Sequence, residues 1–278
     1  MSFTTLVDVP TLAAHLDDPA WLVIDVRHQL ADTGYGERVY GGGHIPGAAF
    51  LHCDRDLSGP LSGGNGRHPL PDPEKLAARL AALGVGPQTQ VVVYDDAQGM
   101  IAGRLWLLLR WLGHDRVAVL DGGLPAWQAA GGAMTDALPV ARPAHFVPAV
   151  RDCMVDAGYV LSFLATSRMY LVDARSADRF RGENETIDPV GGHIPGAVNR
   201  FFRENLQADG RFKPAAELRG EWLALLGGRA PEQVVHQCGS GVSACHNMLA
   251  MEIAGLPGSR LYAGSWSEWC ADPARPVA

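Results

Sequence analysis

The chain has 278 residues, of which 47% are hydrophobic and 19% charged, with a formal net charge of −7 and a pI near 5.8. This length accommodates two domains, each with a core of its own. No Lys/Arg run marks a nucleic-acid or anionic-membrane surface, and the longest apolar stretch, around Leu105–Leu112, is broken by Arg110 and too short to span a bilayer. In chain order, β-branched runs alternate with helix-length segments. Strands are predicted over 21–26 and near 47–51, a helix over 73–83, a strand over 90–94, a helix over 100–112, a strand over 117–120 and a helix over 124–130. Gly84 and Gly113 read as stops after the first two helices. This alternation implies an α/β fold with a parallel sheet flanked by helices on both faces. Ligands in such sheets bind at the carboxyl ends of strands.

The pattern is written twice. LVIDV (22–26) followed by Arg27 returns as LVDA (171–174) followed by Arg175, with Asp25 and Asp173 about 148 positions apart. GGGHIPGAAF (41–50) returns as VGGHIPGAVN (190–199), VVVYD (91–95) as VVHQC (234–238), and GGLPAW (122–127) as GSWSEW (264–269). A repeat this long is a duplicated domain. The expected division is a first domain over 1–135, a Pro- and Ala-rich linker over 136–152 and a second domain over 153–278. Gly255 and Pro257 mark a helix stop in the second copy.

The segment VVHQCGSGVSAC (234–245) carries the chemistry. An apolar strand stops at Cys238, a Gly-Ser-Gly turn follows, and SACHNMLAMEIAG reads as a helix. A cysteine at such a strand-to-helix turn meets converging backbone N–H groups and the positive end of the helix dipole. Both favour thiolate over thiol. In the first copy Asp95 falls opposite Cys238, so only the second copy is expected to react, with the first in support and the site near their contact. Five scattered cysteines form no disulfide framework, and the N-terminal residues show no basic or apolar signal-peptide region. Both fit a reducing cytoplasm.

These residues resemble the rhodanese-type sulfurtransferases. The resemblance rests on the paired HIPGA segments, the two Asp-x-Arg strand ends, the YD element opposite the cysteine loop and the paired Gly…Trp ends. Within that family CGSGVSA is similar to the CGSGVTA loop of 3-mercaptopyruvate sulfurtransferases, whereas thiosulfate-using members carry a basic CRKGVT loop. Gly239 and Ser240 bring no charge. Thiosulfate is a dianion and gains from a basic loop more than monoanionic mercaptopyruvate does.

The resemblance implies that Cys238 takes the donor sulfur as a persulfide and passes it to an acceptor thiol, thioredoxin or cyanide. It implies that the loop N–H groups of Gly239, Ser240, Gly241, Val242, Ser243 and Ala244 hold the sulfur anion. It places a proton-moving Ser-His-Asp set on Ser240, His68 and Asp54. For these three the alternatives are a turn serine, an exposed loop histidine, and a loop cap or partner of Arg55. Arg179, in DRFRGE, is the implied carboxylate ligand, its alternative being an ion pair with Asp178 or Glu183. A second arginine, seven residues before the second HIPGA histidine in many members, is here Thr186. Arg181, Arg200 or Arg203 would substitute, or carboxylate binding is weaker. No cofactor and no metal is called for.

Several residues are assigned to structure instead. His44 and His193 recur in both copies, which points to a hydrogen bond in the fold. Cys245 reads as a buried thiol and Trp266 and Trp269 as packing residues. A zinc site lacks C-x₂-C spacing and would disable the nucleophile. A Cys-x₅-Arg phosphatase is excluded by Ala244 at the arginine position. A thiosulfate:cyanide sulfurtransferase and a non-catalytic persulfide carrier remain as alternatives on the same fold.

Overall fold

The computed structural model describes residues 2–164 and 166–278. The chain forms two compact units. The first comprises Met1–Gly59, Pro71–Asp152 and Ala208–Arg211; the second comprises Pro60–Leu70, Cys153–Gln207 and Phe212–Ala278. Pro60–Leu70 lies within the first repeat of the sequence yet is packed in the second unit.

The first unit runs β1 (Leu6–Val7), α1 (Val9–Ala13), β2 (Trp21–Asp25), α2 (Tyr35–Gly42), β3 (Ala49–Phe50), α3 (Pro73–Leu83), β4 (Gln90–Tyr94), α4 (Ala102–Trp111), β5 (Val117–Leu120) and α5 (Gly123–Ala129). Its five strands are all parallel, in the order β1-β5-β4-β2-β3. The second runs β6 (Met154–Val155), α6 (Ala157–Phe163), β7 (Tyr170–Asp173), α7 (Ala177–Phe180), β8 (Val198–Asn199), α8 (Ala215–Leu226), β9 (Val234–Gln237), α9 (Ser243–Ile253), β10 (Arg260–Tyr262) and α10 (Ser265–Trp269). Its sheet repeats the order and direction as β6-β10-β9-β7-β8.

The central strands β4 and β9 are buried along their whole length, as strands covered on both faces must be. Helix starts follow local chemistry. Asp72 accepts the Lys75 N–H at 2.9 Å ahead of Pro73, and Asp156 accepts the Tyr159 N–H at 2.7 Å. The predicted helix over 100–112 begins at Ala102 because Asp95 already holds the N–H groups of Ile101 and Ala102, both at 2.8 Å. The short elements β1, α1 and α2 were not predicted; two strand residues or a five-residue helix carry too little periodicity to be read.

Each Asp-x-Arg strand end is a buried staple. Arg27 donates to Asp25 and to the carbonyl of Gly43, and Arg175 to Asp173 and the carbonyl of Gly192. The staple thus ties the end of β2 or β7 to the residue before each HIPGA histidine. The histidines bond to backbone carbonyls, His44 Nδ1 with Tyr40 O and His193 Nδ1 with Phe180 O, each at 2.9 Å. Each stacks on the ring of the same residue, with centroids 3.9 Å apart. This is the fold-stabilising role expected of them. Trp266 and Trp269 lie fully buried in the second core, with Tyr262, Val235 and Leu171. Among the described residues no helix is long and apolar enough to cross a membrane.

His236, in the middle of β9, stands where the first copy has Val93. It is fully buried against Trp222 and Met251, and burial pushes its pKa down to about 3. The unfolded chain therefore binds a proton here between about pH 6.5 and 3 that the folded chain refuses, so stability is lost as pH falls through this window. Denaturant unfolding followed from pH 7 to pH 5 should show the midpoint falling. His236→Val should remove part of that slope, even though its cavity lowers the midpoint at pH 7. An unchanged slope would mean that His236 is not the acid-sensitive group.

Candidate active site

The site is built at the carboxyl end of β9. Cys238 directly follows the strand and is buried, with 2% of its surface exposed. Gly239, Ser240, Gly241 and Val242 form the turn, and Ser243 and Ala244 open α9. The first N–H groups of a helix have no intrahelical acceptor, so this end of α9 presents donors to the turn.

The first copy shows what such a turn holds. Asp95 occupies the equivalent strand end, fully buried, and its carboxylate accepts the N–H groups of Ala97, Gly99, Ile101 and Ala102 at 2.8–2.9 Å. Burial pushes the Asp95 carboxyl up, while the four donors oppose that shift. One copy thus fills the turn with a carboxylate, and the other presents sulfur at the same place. The second turn is tighter, five residues (238–242) against seven (95–101).

The last helix of the second unit pins the cysteine turn. Trp266 N–H donates to Cys238 O at 3.0 Å and Ser267 N–H to Gly239 O at 2.9 Å. The Cys238 N–H donates to Ser265 Oγ at 3.1 Å. Ser265 has φ +53°, a left-handed backbone uncommon for a side chain-bearing residue. Its counterpart in the first copy is Gly123, at φ +59°. The second copy therefore accepts local strain to place a hydroxyl on the cysteine's backbone. Gly241 is required sterically: φ is +76°, and a Cβ would lie 2.2 Å from Ala263 O.

Besides Ser265, the side chains of His68, Arg179 and Arg67 meet this turn. His68 Nδ1 and Ser240 Oγ are 2.7 Å apart, both buried. His68 arrives on Pro60–Leu70, which explains how a residue of the first repeat reaches the second unit's turn. Arg179, in the last turn of α7, sits beside Gly239, where a Cβ would lie 3.6 Å from Nη1 and Nη2. The third is Arg67, with Nη2 3.0 Å from that same Cβ position. Its own N–H donates to Ser267 Oγ at 3.1 Å. Burial lowers the Arg67 pKa, and the charge of Cys238 opposes this most.

Arg67 was not singled out from the sequence, although it stands next to His68. Arg181, Arg200 and Arg203 were the residues considered for a second arginine at the site. Those three are engaged elsewhere: Arg181 pairs with Glu183, Arg200 with Glu221, and Arg203 lies over the Phe201 and Phe202 rings. Arg179 does not form the side-chain pair with Asp178 or Glu183 that was the alternative to its carboxylate-ligand role. It holds Glu185 at 2.9 Å and Asp188 at 3.3 Å. Asp54 belongs to the first unit, with Oδ1 3.7 Å from His28 Nε2, while Arg55 pairs with Glu37. Cys245 is fully buried, its thiol 3.2 Å from Gly241 O.

The rhodanese-like domain matches this chain twice, over residues 8–130 and 156–272. The chain belongs to the rhodanese-like family. A probable 3-mercaptopyruvate sulfurtransferase of Pseudomonas aeruginosa is 51% identical over 281 residues, covering 100% of this chain and 99% of the relative. A putative thiosulfate sulfurtransferase, SseB, of Mycobacterium tuberculosis is 39% identical, covering 92% of this chain and 89% of the relative. The crystal structure of SseA from Escherichia coli, described as a 3-mercaptopyruvate sulfotransferase, superposes with a TM-score of 0.81 at 32% identity, covering 96% of this chain and 100% of that one. Like these rhodanese-like relatives, the chain is a sulfurtransferase with two such domains in tandem.

The geometry of Gly241 gives a direct test of the turn. Gly241→Ala should cost at least about 2 kcal/mol of stability, from positive φ and the clash with Ala263 O. It should also cut sulfur transfer by more than tenfold. Chemical denaturation and an activity assay check this; a fully active, equally stable variant would show that the turn adapts.

Proposed function

We propose that the chain moves sulfur from 3-mercaptopyruvate, through a persulfide on Cys238, to a thiol or cyanide acceptor. The observation that carries this reading is the convergence on one turn of Cys238, the Ser240–His68 pair and the guanidinium groups of Arg67 and Arg179. The full-length likeness to a probable 3-mercaptopyruvate sulfurtransferase supports the donor.

The Cys238 thiolate attacks the donor sulfur and forms the S–S bond. The C–S bond breaks, and its electron pair leaves on C3 as the enolate of pyruvate. A proton to C3 completes pyruvate, and Cys238–S–SH remains. His68, hydrogen-bonded to Ser240, is the group placed to move that proton. Asp54 completes the set in this reading, by resemblance to the family. Backbone N–H groups of Gly239 to Ala244 stabilise the sulfur anions. Arg67 Nη2 and Arg179 Nη1 lie on the Gly239 side of their guanidinium groups, where a donor carboxylate would be held. An acceptor thiol, such as that of thioredoxin, then attacks the outer sulfur and releases Cys238. The compartment in this reading is the cytoplasm, where a reduced Cys238 persists.

Thiosulfate is the second donor reading. Arg67 favours it, because it puts a positive charge beside an otherwise neutral Gly239–Ser240 turn.

Two experiments test the reading. Incubation with 3-mercaptopyruvate should add about 32 Da, one sulfur atom, to the wild type by intact mass, and nothing to Cys238→Ser. A persulfide carried by Cys245 instead would overturn the assignment. Separately, Arg179→Ala should lower kcat/KM for mercaptopyruvate on the order of 10- to 100-fold, the worth of a charged hydrogen bond. The loss should fall mainly on KM if the carboxylate is held equally in ground and transition states. Unchanged kinetics in a folded protein would leave Arg67 as the sole carboxylate ligand.

A further inference from the structure

Behind Gly239 lies a charge cluster that the transfer chemistry does not itself require. It holds three guanidinium groups, Arg67, Arg175 and Arg179, and three carboxylates, Asp173, Glu185 and Asp188. Two of the acids have evident structural work. Asp173 is the partner of Arg175 in the strand-end staple. Glu185 accepts the backbone N–H groups of Ile187 and Asp188 at 2.9 and 3.0 Å and so shapes its own loop.

Asp188 differs. Its carboxylate is 2% exposed, with Oδ1 on Arg67 Nη1 and Oδ2 3.3 Å from Arg179 Nη2. The two guanidinium groups it bridges are the two that flank Gly239. Each therefore has one edge on Asp188 and another toward the cysteine turn. The carboxylate aligns the pair and offsets the charge of Arg67, while Glu185 offsets that of Arg179.

We propose that Asp188 is the residue that sets donor choice, by neutralising one charge of the Arg67–Arg179 pair so that a monoanionic sulfur donor is favoured over a dianionic one. The inference rests on the sulfurtransferase reading, with the donor anion held by that pair. Its physical basis is simple. A carboxylate a few ångströms behind the anion site repels a dianion twice as strongly as a monoanion, and a buried charge is poorly screened. Arg67 supplies the attraction that a basic cysteine loop would otherwise provide, and Asp188 tempers it. Asp188 acts through the arginines and is a positioning and charge-setting residue.

The test compares kcat/KM for thiosulfate and for 3-mercaptopyruvate in four proteins: wild type, Asp188→Asn, Arg67→Gln and the double variant. Asp188→Asn keeps the shape and removes the charge. It should raise the thiosulfate-to-mercaptopyruvate ratio on the order of 10- to 100-fold and steepen the salt dependence of thiosulfate use. Arg67→Gln, at a side chain more exposed than that of Asp188, should move the ratio the opposite way. The double variant restores the charge balance and should return the ratio toward the wild-type value. Binding of sulfate and pyruvate to Cys238→Ser, with and without Asp188→Asn, gives a readout free of turnover: sulfate should tighten more than pyruvate.

A ratio within twofold of wild type in Asp188→Asn, or sulfate and pyruvate responding equally, would remove the role of Asp188. Equal gains for both donors would do the same. A wild type that forms a Cys238 persulfide with neither donor would instead remove the sulfurtransferase reading itself, so the two failures are distinct.

Discussion

A parallel strand that runs straight into a helix through a tight turn gathers backbone N–H groups around one point, and that point must hold an acceptor. The rest of this protein is arranged around that requirement. In the first copy the acceptor is internal, since the Asp95 carboxylate takes four N–H groups at once. In the second copy no carboxylate grows from the strand end, and the position belongs to Cys238. Duplication has therefore left one turn filled by a carboxylate and one with a cysteine at the equivalent position.

Keeping the second turn in shape takes contributions from distant parts of its unit. The start of α10 ties down Cys238 and Gly239 through three hydrogen bonds. Gly241 is wedged against Ala263. The Asp173–Arg175 staple fixes the neighbouring strand end, and Arg175 also lies over the Trp266 ring, 4.8 Å from its centroid. That ring belongs to the helix holding the cysteine turn. Strand end, staple and closing helix thus form one packed assembly, which limits how far Cys238 can drift.

Much of this was legible in the chain. The strand–helix alternation, the two-fold repeat, the helix stops and the cysteine turn follow from hydrophobic period, glycine placement and one nucleophile at a strand mouth. His68 was reached by resemblance, and its Nδ1 lies 2.7 Å from Ser240 Oγ. What escaped was placement that no local pattern encodes. Arg67 adjoins His68 in sequence, but its role depends on Pro60–Leu70 leaving its repeat for the second unit. A Gly- and Ser-rich segment with few core residues of its own was the available signal. Ser265 could have been found from the repeat itself, since it replaces a glycine, Gly123, at the turn that closes on the strand end. The engagement of Arg179 with Glu185 and Asp188 instead of its nearer acidic neighbours is a matter of fold geometry, beyond sequence spacing.

The travel of Pro60–Leu70 separates genetic from chemical modularity. A fragment starting at the linker would carry the complete sheet, Cys238 and its pinning helix, yet neither His68 nor Arg67. The boundary of the repeat and the boundary of the packed unit therefore differ. Splitting, permuting or swapping the halves at the apparent boundary would part His68 and Arg67 from the cysteine turn that they reach.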